Sequence, residues 1–320
     1  KRELNRPLIS KMEEKTFRIC RQCPRGCRIA SGQKSGFCRG DTIPEIAAVT
    51  LHRGEEPVIA GKNGICNVFF YGCNLRCVYC QNYRISRADR IPRSDGKKMS
   101  FQEAIETIEA LSREGKGMIG FVSPSHRIGL MRSMIETLRA KDIGKTFVMN
   151  TGAYDLPETI AALEDVIDVY LPDLKYLDPE RSRRLSGVKN YPEAARGALR
   201  EMFRQKGADL ALDSEEIVRN GLIIRHLIMP GGVEDSKECL RFIARRLSPD
   251  VHISLMAQYH PTPAVADHPF LGRTIYREEY EEVRNEMERL GFHRGWIQEL
   301  ESHDHYLPKF DSPGEIFEGS

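Results

Sequence analysis

Cys73, Cys77 and Cys80 lie in the run Tyr71-Gly-Cys-Asn-Leu-Arg-Cys-Val-Tyr-Cys80, directly after the apolar stretch Asn67-Val-Phe-Phe70. The apolar stretch reads as a strand and the run as the loop leaving it. A Cys-x3-Cys-x2-Cys spacing puts three thiolates on one loop. Three thiolates cannot complete the ligation of a 4Fe-4S cubane, so a cluster held there keeps one iron open to a further ligand. The competing reading is half of a zinc site, for which Cys-x2-Cys is the commoner spacing.

With Tyr79 before the third cysteine, a strand ahead and Gln81-Asn82-Tyr83 behind, the run resembles the ligand pattern of the radical S-adenosylmethionine (SAM) enzymes rather than a zinc turn. The resemblance implies that the open iron binds the amino and carboxylate groups of SAM. It also implies that one-electron reduction yields methionine and a 5'-deoxyadenosyl radical, and that the backbone at Tyr79 meets adenine.

From Asn67 onward, short apolar runs bounded by turn signals alternate with helical patterns, the sign of successive β-α units around a parallel sheet. Strands are expected near 67–72, 117–122, 145–150, 166–171, 221–229 and 251–258, and helices near 101–114, 127–141, 155–163, 191–206, 235–247 and 277–290. Six such units predict an α/β fold, an open partial (β/α)6 barrel with functional residues at the carboxyl ends of the strands, and the resemblance implies that it is a radical SAM barrel. Ser100 with Glu103 predicts a capping box, and Asp235 a cap for the helix opening at Ser236. Residues 85–98 read as a surface loop. The expected organisation is a cysteine-rich metal-binding segment over 1–65, the barrel over 66–300 and a tail over 301–320.

Candidate site residues sit at the strand ends. Asp173-Leu-Lys175 follows the strand ending at Leu171 and resembles the Asp-x-Lys motif of the glycyl-radical-enzyme activases, the pyruvate formate-lyase activating enzyme type, where the lysine meets the SAM carboxylate. A zwitterionic ligand needs such a cation, and an ammonium on a long stem can reach it. Arg225 and His226 interrupt an apolar strand; alternation puts them on opposite faces, and an unpaired buried guanidinium is prohibitive. The resemblance assigns Arg225 to the SAM side and leaves His226 a structural histidine. Asn150 in Asn150-Thr-Gly152 and Gln258 in Gln258-Tyr-His260 complete the set. Activases carry Gly-Gly-Glu after the second strand; here Val122-Ser-Pro-Ser-His126 stands instead, so Ser123, Ser125 and His126 become the candidates for the SAM amino group. With His52-Arg-Gly-Glu-Glu-Pro57 and Tyr170-Leu-Pro-Asp-Leu-Lys-Tyr176, the chain resembles the PflX-type subfamily from about Cys20 to about Gln298.

A second group, Cys20-x2-Cys23-x3-Cys27-x10-Cys38, offers four thiolates for a second 4Fe-4S cluster or a structural zinc. A cluster there is placed to relay an electron; a zinc would fold the segment. Cys66 and Cys239 read as small buried apolar residues.

Hydrophobic residues make up 40% of the 320-residue chain, enough for one large core, and a net charge of +2 gives no reason to expect nucleic acid. No apolar run of membrane-spanning length and no secretory h-region occurs, so a cytoplasmic location with reduced thiols is expected. The expected partners are SAM, a substrate that is either a protein or a small molecule, and an electron donor such as flavodoxin or ferredoxin. The polar segments 181–190 and 208–220 are expected at or near the barrel mouth. A rival class, an electron-transfer iron-sulfur protein without SAM chemistry, would need only the cysteines and leaves Asp173 and Lys175 unexplained.

Overall fold

The computed structural model describes residues 17–30, 36–38, 45–87 and 99–300. The expected tail 301–320 and most of the expected loop 85–98 lie outside them. Ile85, placed in that loop, is instead buried in a short helix.

The strands are β1 (Phe17–Ile19), β2 (Arg28–Ala30), β3 (Ile46–His52), β4 (Ile65–Phe70), β5 (Met118–Val122), β6 (Thr146–Thr151), β7 (Val169–Pro172), β8 (Ala211–Leu212), β9 (Val218–Leu227), β10 (His252–Met256) and β11 (Gly295–Ile297). The helices are α1 (Pro57–Ala60), α2 (Tyr83–Ser86), α3 (Phe101–Glu114), α4 (Ile128–Ala140), α5 (Pro157–Ala161), α6 (Pro179–Ser186), α7 (Tyr191–Lys206), α8 (Val233–Arg246) and α9 (Arg277–Arg289).

The main sheet runs β11-β10-β9-β7-β6-β5-β4-β3, with β8 paired to β9. Every pair from β4 to β11 is parallel and only β3 and β8 run against their partners. The six expected β-α strands are therefore present in chain order, wound in one direction, as a partial barrel demands. The sequence reading did not anticipate the two ends of the sheet: β3 pairs antiparallel with β4, so the sheet takes in residues from the 1–65 stretch, and β11 adds a seventh parallel strand.

Strand alternation separates a helix-facing core from a lumen. Phe147 and Met149 of β6, Leu222 and Ile224 of β9, and Ile253 and Leu255 of β10 join the large core under the helices. The intervening residues form layers in the lumen. Ile65, Met118, Val148, Val169 and Ile223 pack with Ile59 of α1 into an apolar floor. One pleat further toward the carboxyl ends, those strands carry Asn67, Gly120, Asn150, Leu171 and Arg225, so the lumen turns polar. At Gly120 a side chain is impossible, because a Cβ would overlap the Asn67 amide oxygen that crosses in front of it.

Local signals hold in part. Ser100 and Glu103 form the capping box of α3, with Glu103 N–H donating to Ser100 Oγ at 3.2 Å and Ser100 N–H to Glu103 Oε2 at 2.7 Å. Asp235 does not cap its own helix, which starts two residues earlier behind Gly232. Its Oδ1 instead accepts from the N–H groups of Leu177 and Asp178, at 2.9 and 3.0 Å, and so pins the chain just past the Asp173-Leu-Lys175 turn. The segment 208–220 is likewise not at the mouth: β8 pairs with the start of β9, at the opposite end from the cysteines. Polarity marks a segment for solvent without saying which end of a barrel it covers.

The Asp235 clamp predicts that Asp235→Ala, which leaves the part-buried Leu177 N–H without its acceptor, lowers stability by about 1–3 kcal/mol. Asp235→Asn, which keeps an acceptor, should lose less. Urea midpoints of the two variants measure the difference, and equal losses would count against the clamp.

Candidate active site

Cys73, Cys77 and Cys80 lie on the loop after β4, at the carboxyl end of the sheet. The loop is held by parts of the chain far from it in sequence. Arg76 N–H donates to Ser186 O at 3.1 Å and Val78 N–H to Leu185 O at 2.9 Å, so the end of α6 forms its backing. Thr262 Oγ1 donates to Val78 O and Asn74 Nδ2 to Tyr154 O, both at 2.8 Å. The sulfurs meet hydrogen-bonding groups: Leu75 N–H at 3.4 Å from Cys73 Sγ, Ser186 Oγ at 2.9 Å from Cys77 Sγ, and Ser86 Oγ at 3.4 Å from Cys80 Sγ. Tyr79 is buried, its hydroxyl donating to that of Tyr176 at 3.1 Å.

Burial pushes the Cys73 thiol up to about 12 and raises Cys80 as well, with Lys175 pulling both back down. In a metal-free loop these groups hold their protons, and a metal centre must displace them to gain thiolates. The trio, its N–H and O–H donors to sulfur and the adjacent cation suit a cluster with three protein ligands. Among the described residues no group of three or more His, Cys, Asp or Glu is arranged to hold a single metal ion. Cys66 and Cys239 face elsewhere, buried in the helix-side core.

Lys175 Nζ donates to Asp173 Oδ2 at 3.0 Å and stands within electrostatic reach of all three loop cysteines. Burial alone would lower its ammonium, but Asp173 and the neighbouring Cys77 and Cys80 outweigh that and hold it above an ordinary lysine. The turn carrying it is fixed by Tyr191 of α7, whose hydroxyl accepts from Lys175 N–H and donates to Asp173 O, both at 2.9 Å. Arg225, on the lumen face of β9, donates from Nε to Asp173 Oδ1 at 2.9 Å and from a terminal nitrogen to Glu55 Oε2 at 3.0 Å. Burial raises the Asp173 carboxyl, yet Lys175 and Arg225 prevail and bring it down to about 2. His226 points the other way, buried, with Nδ1 at 2.6 Å from Leu174 O.

Asp173, Arg225 and Glu55 border a cleft of about 330 Å³ in the lumen, whose lining also includes Ser123, Asn150 and Gln258. Ser123 takes a left-handed backbone (φ 52°) and its N–H donates to Asn150 O at 2.7 Å. The rest of that turn falls behind the wall. Ser125 is buried with Oγ 3.0 Å from Thr151 Oγ1, and His126 is buried with Nε2 2.9 Å from Tyr71 O. Burial brings His126 down to about 4, so it is a neutral structural imidazole. Gln258 accepts from Gln298 Nε2 at 3.1 Å.

The base of the cleft comes from the His52-Arg-Gly-Glu-Glu-Pro57 run, whose acids carry no site role in the sequence pattern. The chain between β3 and α1 crosses under the barrel, and Glu55 and Glu56 enter the lumen from below. Glu55 accepts from Asn67 Nδ2 at 3.2 Å and lies 3.3 Å from His52 Nδ1. The available signal was two adjacent acids in Gly54-Glu-Glu-Pro57, ahead of a proline that opens a helix. Ser254, Trp296 and Gln298 close the far side.

The N-terminal cysteines gather around the β1-β2 hairpin. Cys20 N–H donates to Cys27 O at 2.9 Å, and Phe37 N–H approaches Cys27 Sγ at 3.5 Å. Burial, with Cys20, Cys27 and Cys38 adding to it, pushes Cys23 up to about 11. This segment is fastened to the cluster loop. Arg25 Nε donates to Asn74 O, and the guanidiniums of Arg25 and Arg76 lie 3.3 and 4.5 Å from the Phe37 ring centre.

The radical SAM superfamily model matches residues 67–243, more than half of the chain. The uncharacterized protein MJ0674 of Methanocaldococcus jannaschii is 31% identical over 272 residues, 83% of this chain and 73% of that protein. Among solved structures, HydG, a maturase of the [FeFe]-hydrogenase, aligns with a TM-score of 0.51 at 14% identity, over 75% of this chain and 53% of its own. SuiB of Streptococcus suis bound to its precursor peptide SuiA aligns with a TM-score of 0.46 at 14% identity, over 71% and 47%. The chain thus spans about half the length of these solved structures, and the likeness to HydG is one of fold. A three-cysteine loop at the carboxyl end of a singly wound parallel sheet, matched across its core by that family model, shows that the chain belongs to the radical SAM superfamily.

Proposed function

We propose that the protein cleaves SAM reductively to a 5'-deoxyadenosyl radical and uses it to take a hydrogen atom from a substrate in the lumen cleft, an activity similar to that of the glycyl-radical-enzyme activases. A 4Fe-4S cluster on Cys73, Cys77 and Cys80 supplies, when bound, one electron and an open iron for the amino and carboxylate groups of SAM. The observation that carries this reading is Lys175, a half-buried ammonium within reach of all three loop cysteines and tied to the cleft by Asp173.

In this reading Lys175 meets the SAM carboxylate, sharing its protons between that group and Asp173. Arg225 keeps Asp173 charged and in place, so the lysine stays protonated as the ligand arrives. The Ser123 and Asn150 edge of the cleft offers polar groups to the SAM amino group, and Gln258 to the ribose. Cys20, Cys23, Cys27 and Cys38 hold a second metal centre, an iron-sulfur cluster or zinc. The reductant is a small electron carrier such as flavodoxin or ferredoxin. Modification of a small molecule or of another protein site is the second reading, and the charged base of the cleft favours it, since a bare backbone glycine makes no use of Glu55 and Glu56.

The Cys73/Cys77/Cys80→Ala variant should lose the optical and paramagnetic signature that responds to SAM. A SAM-responsive cluster surviving in it would refute the ligand assignment.

In that same variant, anoxically purified, about four irons or one zinc per chain should remain on the N-terminal cysteines. Elemental analysis decides; finding neither metal would reduce the group to plain thiols.

Removing one partner of a buried hydrogen-bonded charge pair costs on the order of 2–5 kcal/mol. Lys175→Ala should therefore weaken SAM binding by at least roughly 30-fold while iron and sulfide content stay the same. The measurement is a SAM titration of the reduced protein, and an unshifted midpoint would move the carboxylate role to Arg225.

A further inference from the structure

The base of the cleft holds a carboxyl with no ion pair to any cation among the described residues. Arg225 is taken up by Asp173 and Glu55, and Lys175 by Asp173. Both oxygens of Glu55 are engaged, one by Arg225 and the other by Asn67 and His52. Glu56, beside it, lines the same cleft and is only 8% exposed. Ser254 of β10 lines the cleft beside it, and Oε2 is buried with no partner among the described residues. An unmatched buried acceptor is costly, and natural sites that keep one use it.

We propose that Glu56 is a substrate-recognition residue, its Oε2 receiving the protonated primary amine of an alkylammonium group. The inference rests on the reading of the lumen cleft as the substrate chamber and specifies what enters it. A single free acceptor suits a point donor; a guanidinium would present a fork with one prong unmet. The neighbouring walls fit the stem of such a ligand, since Met256 and Trp296 flank the same space and an aromatic face attracts a cation. Arg225 does not repel it, because Asp173 and Glu55 already neutralise that charge. Burial holds the Glu56 carboxyl above its usual range, with Arg225 pulling down and Glu55 pushing up.

An alkylammonium can come from a free amine or from a lysine side chain. Calorimetric titration of the full chain with n-butylammonium and its neutral isostere 1-butanol should show a preference for the cation of at least about tenfold. Glu56→Gln, which keeps size and hydrogen bonding but removes the charge, should collapse that preference to about one. A blocked Gly-Gly-Lys-Gly-Gly peptide, compared with its acetyl-lysine form, separates the sources. Tighter binding of the peptide than of n-butylammonium assigns a protein lysine, the reverse assigns a small amine, and either supports the recognition chemistry. No preference for the charged member of either pair in the wild-type chain, or a preference that survives Glu56→Gln, would overturn it. The wild-type comparison decides by itself if the variant fails to fold. Absence of amine discrimination in the wild-type chain with SAM cleavage intact sinks this inference alone, whereas wild-type amine discrimination without SAM cleavage sinks the SAM reading alone.

Discussion

A guanidinium in the middle of a barrel must be answered from several directions at once, and Arg225 sets the geometry of this site by that requirement. It is a permanent cation on the lumen face of a strand whose neighbouring lumen position, Ile223, belongs to an apolar floor. One answer comes from Asp173, at the adjacent strand end, where a parallel bridge aligns the two residues. The other comes from Glu55, which can reach the lumen only because the chain after β3 passes beneath the sheet. The same Asp173 then has one oxygen left for Lys175. A single charge thus couples the closed end of the barrel to the group that stands beside the cysteines.

The cysteine loop depends on a different principle. It contains little that could fold alone, and its shape is imposed by backbone bonds from α6, a threonine beyond β10 and a carbonyl at Tyr154. Residues separated by more than a hundred positions therefore close on the sulfurs, as with Ser186 on Cys77. Donors set around sulfur tune a metal centre as much as the ligands do. The N-terminal segment bearing Cys20, Cys23, Cys27 and Cys38 adds a strap, through Arg25 and Phe37, so the two cysteine groups share one scaffold.

Much of this was legible from periodicity and spacing. The three-cysteine loop after its strand and the opposite facings of Arg225 and His226 follow from local pattern, because ligand spacing and pleat are properties of short segments, whereas the Asp-x-Lys turn stands out by its resemblance to the activase motif. The helix over 191–206 needed only its own stripe. What escaped is non-local. Glu55 and Glu56 sit in a loop whose importance comes from where β3 pairs, and an antiparallel partner for the first barrel strand leaves no mark in either sequence segment. Ser125 and His126 were candidates by position in a turn, but a turn of three residues can show only one side chain to a narrow lumen, and Ser123 takes that place. Asp235 misled for a related reason: a carboxylate near a helix start suits a cap, and here a stronger demand from another chain segment claims it.

The crossing of Asn67 over Gly120 ties three positions of the chain into one heritable unit. Any side chain at 120 would evict the Asn67 amide, and that amide is what steadies Glu55 against the guanidinium of Arg225. Enlarging residue 120 is therefore compatible only with a smaller residue at 67, and that exchange strips Glu55 of a donor. Substitutions at these sites can spread through descendants only in concert, so positions 55, 67 and 120 should covary across homologous chains although one lies in a loop and the others on separate strands.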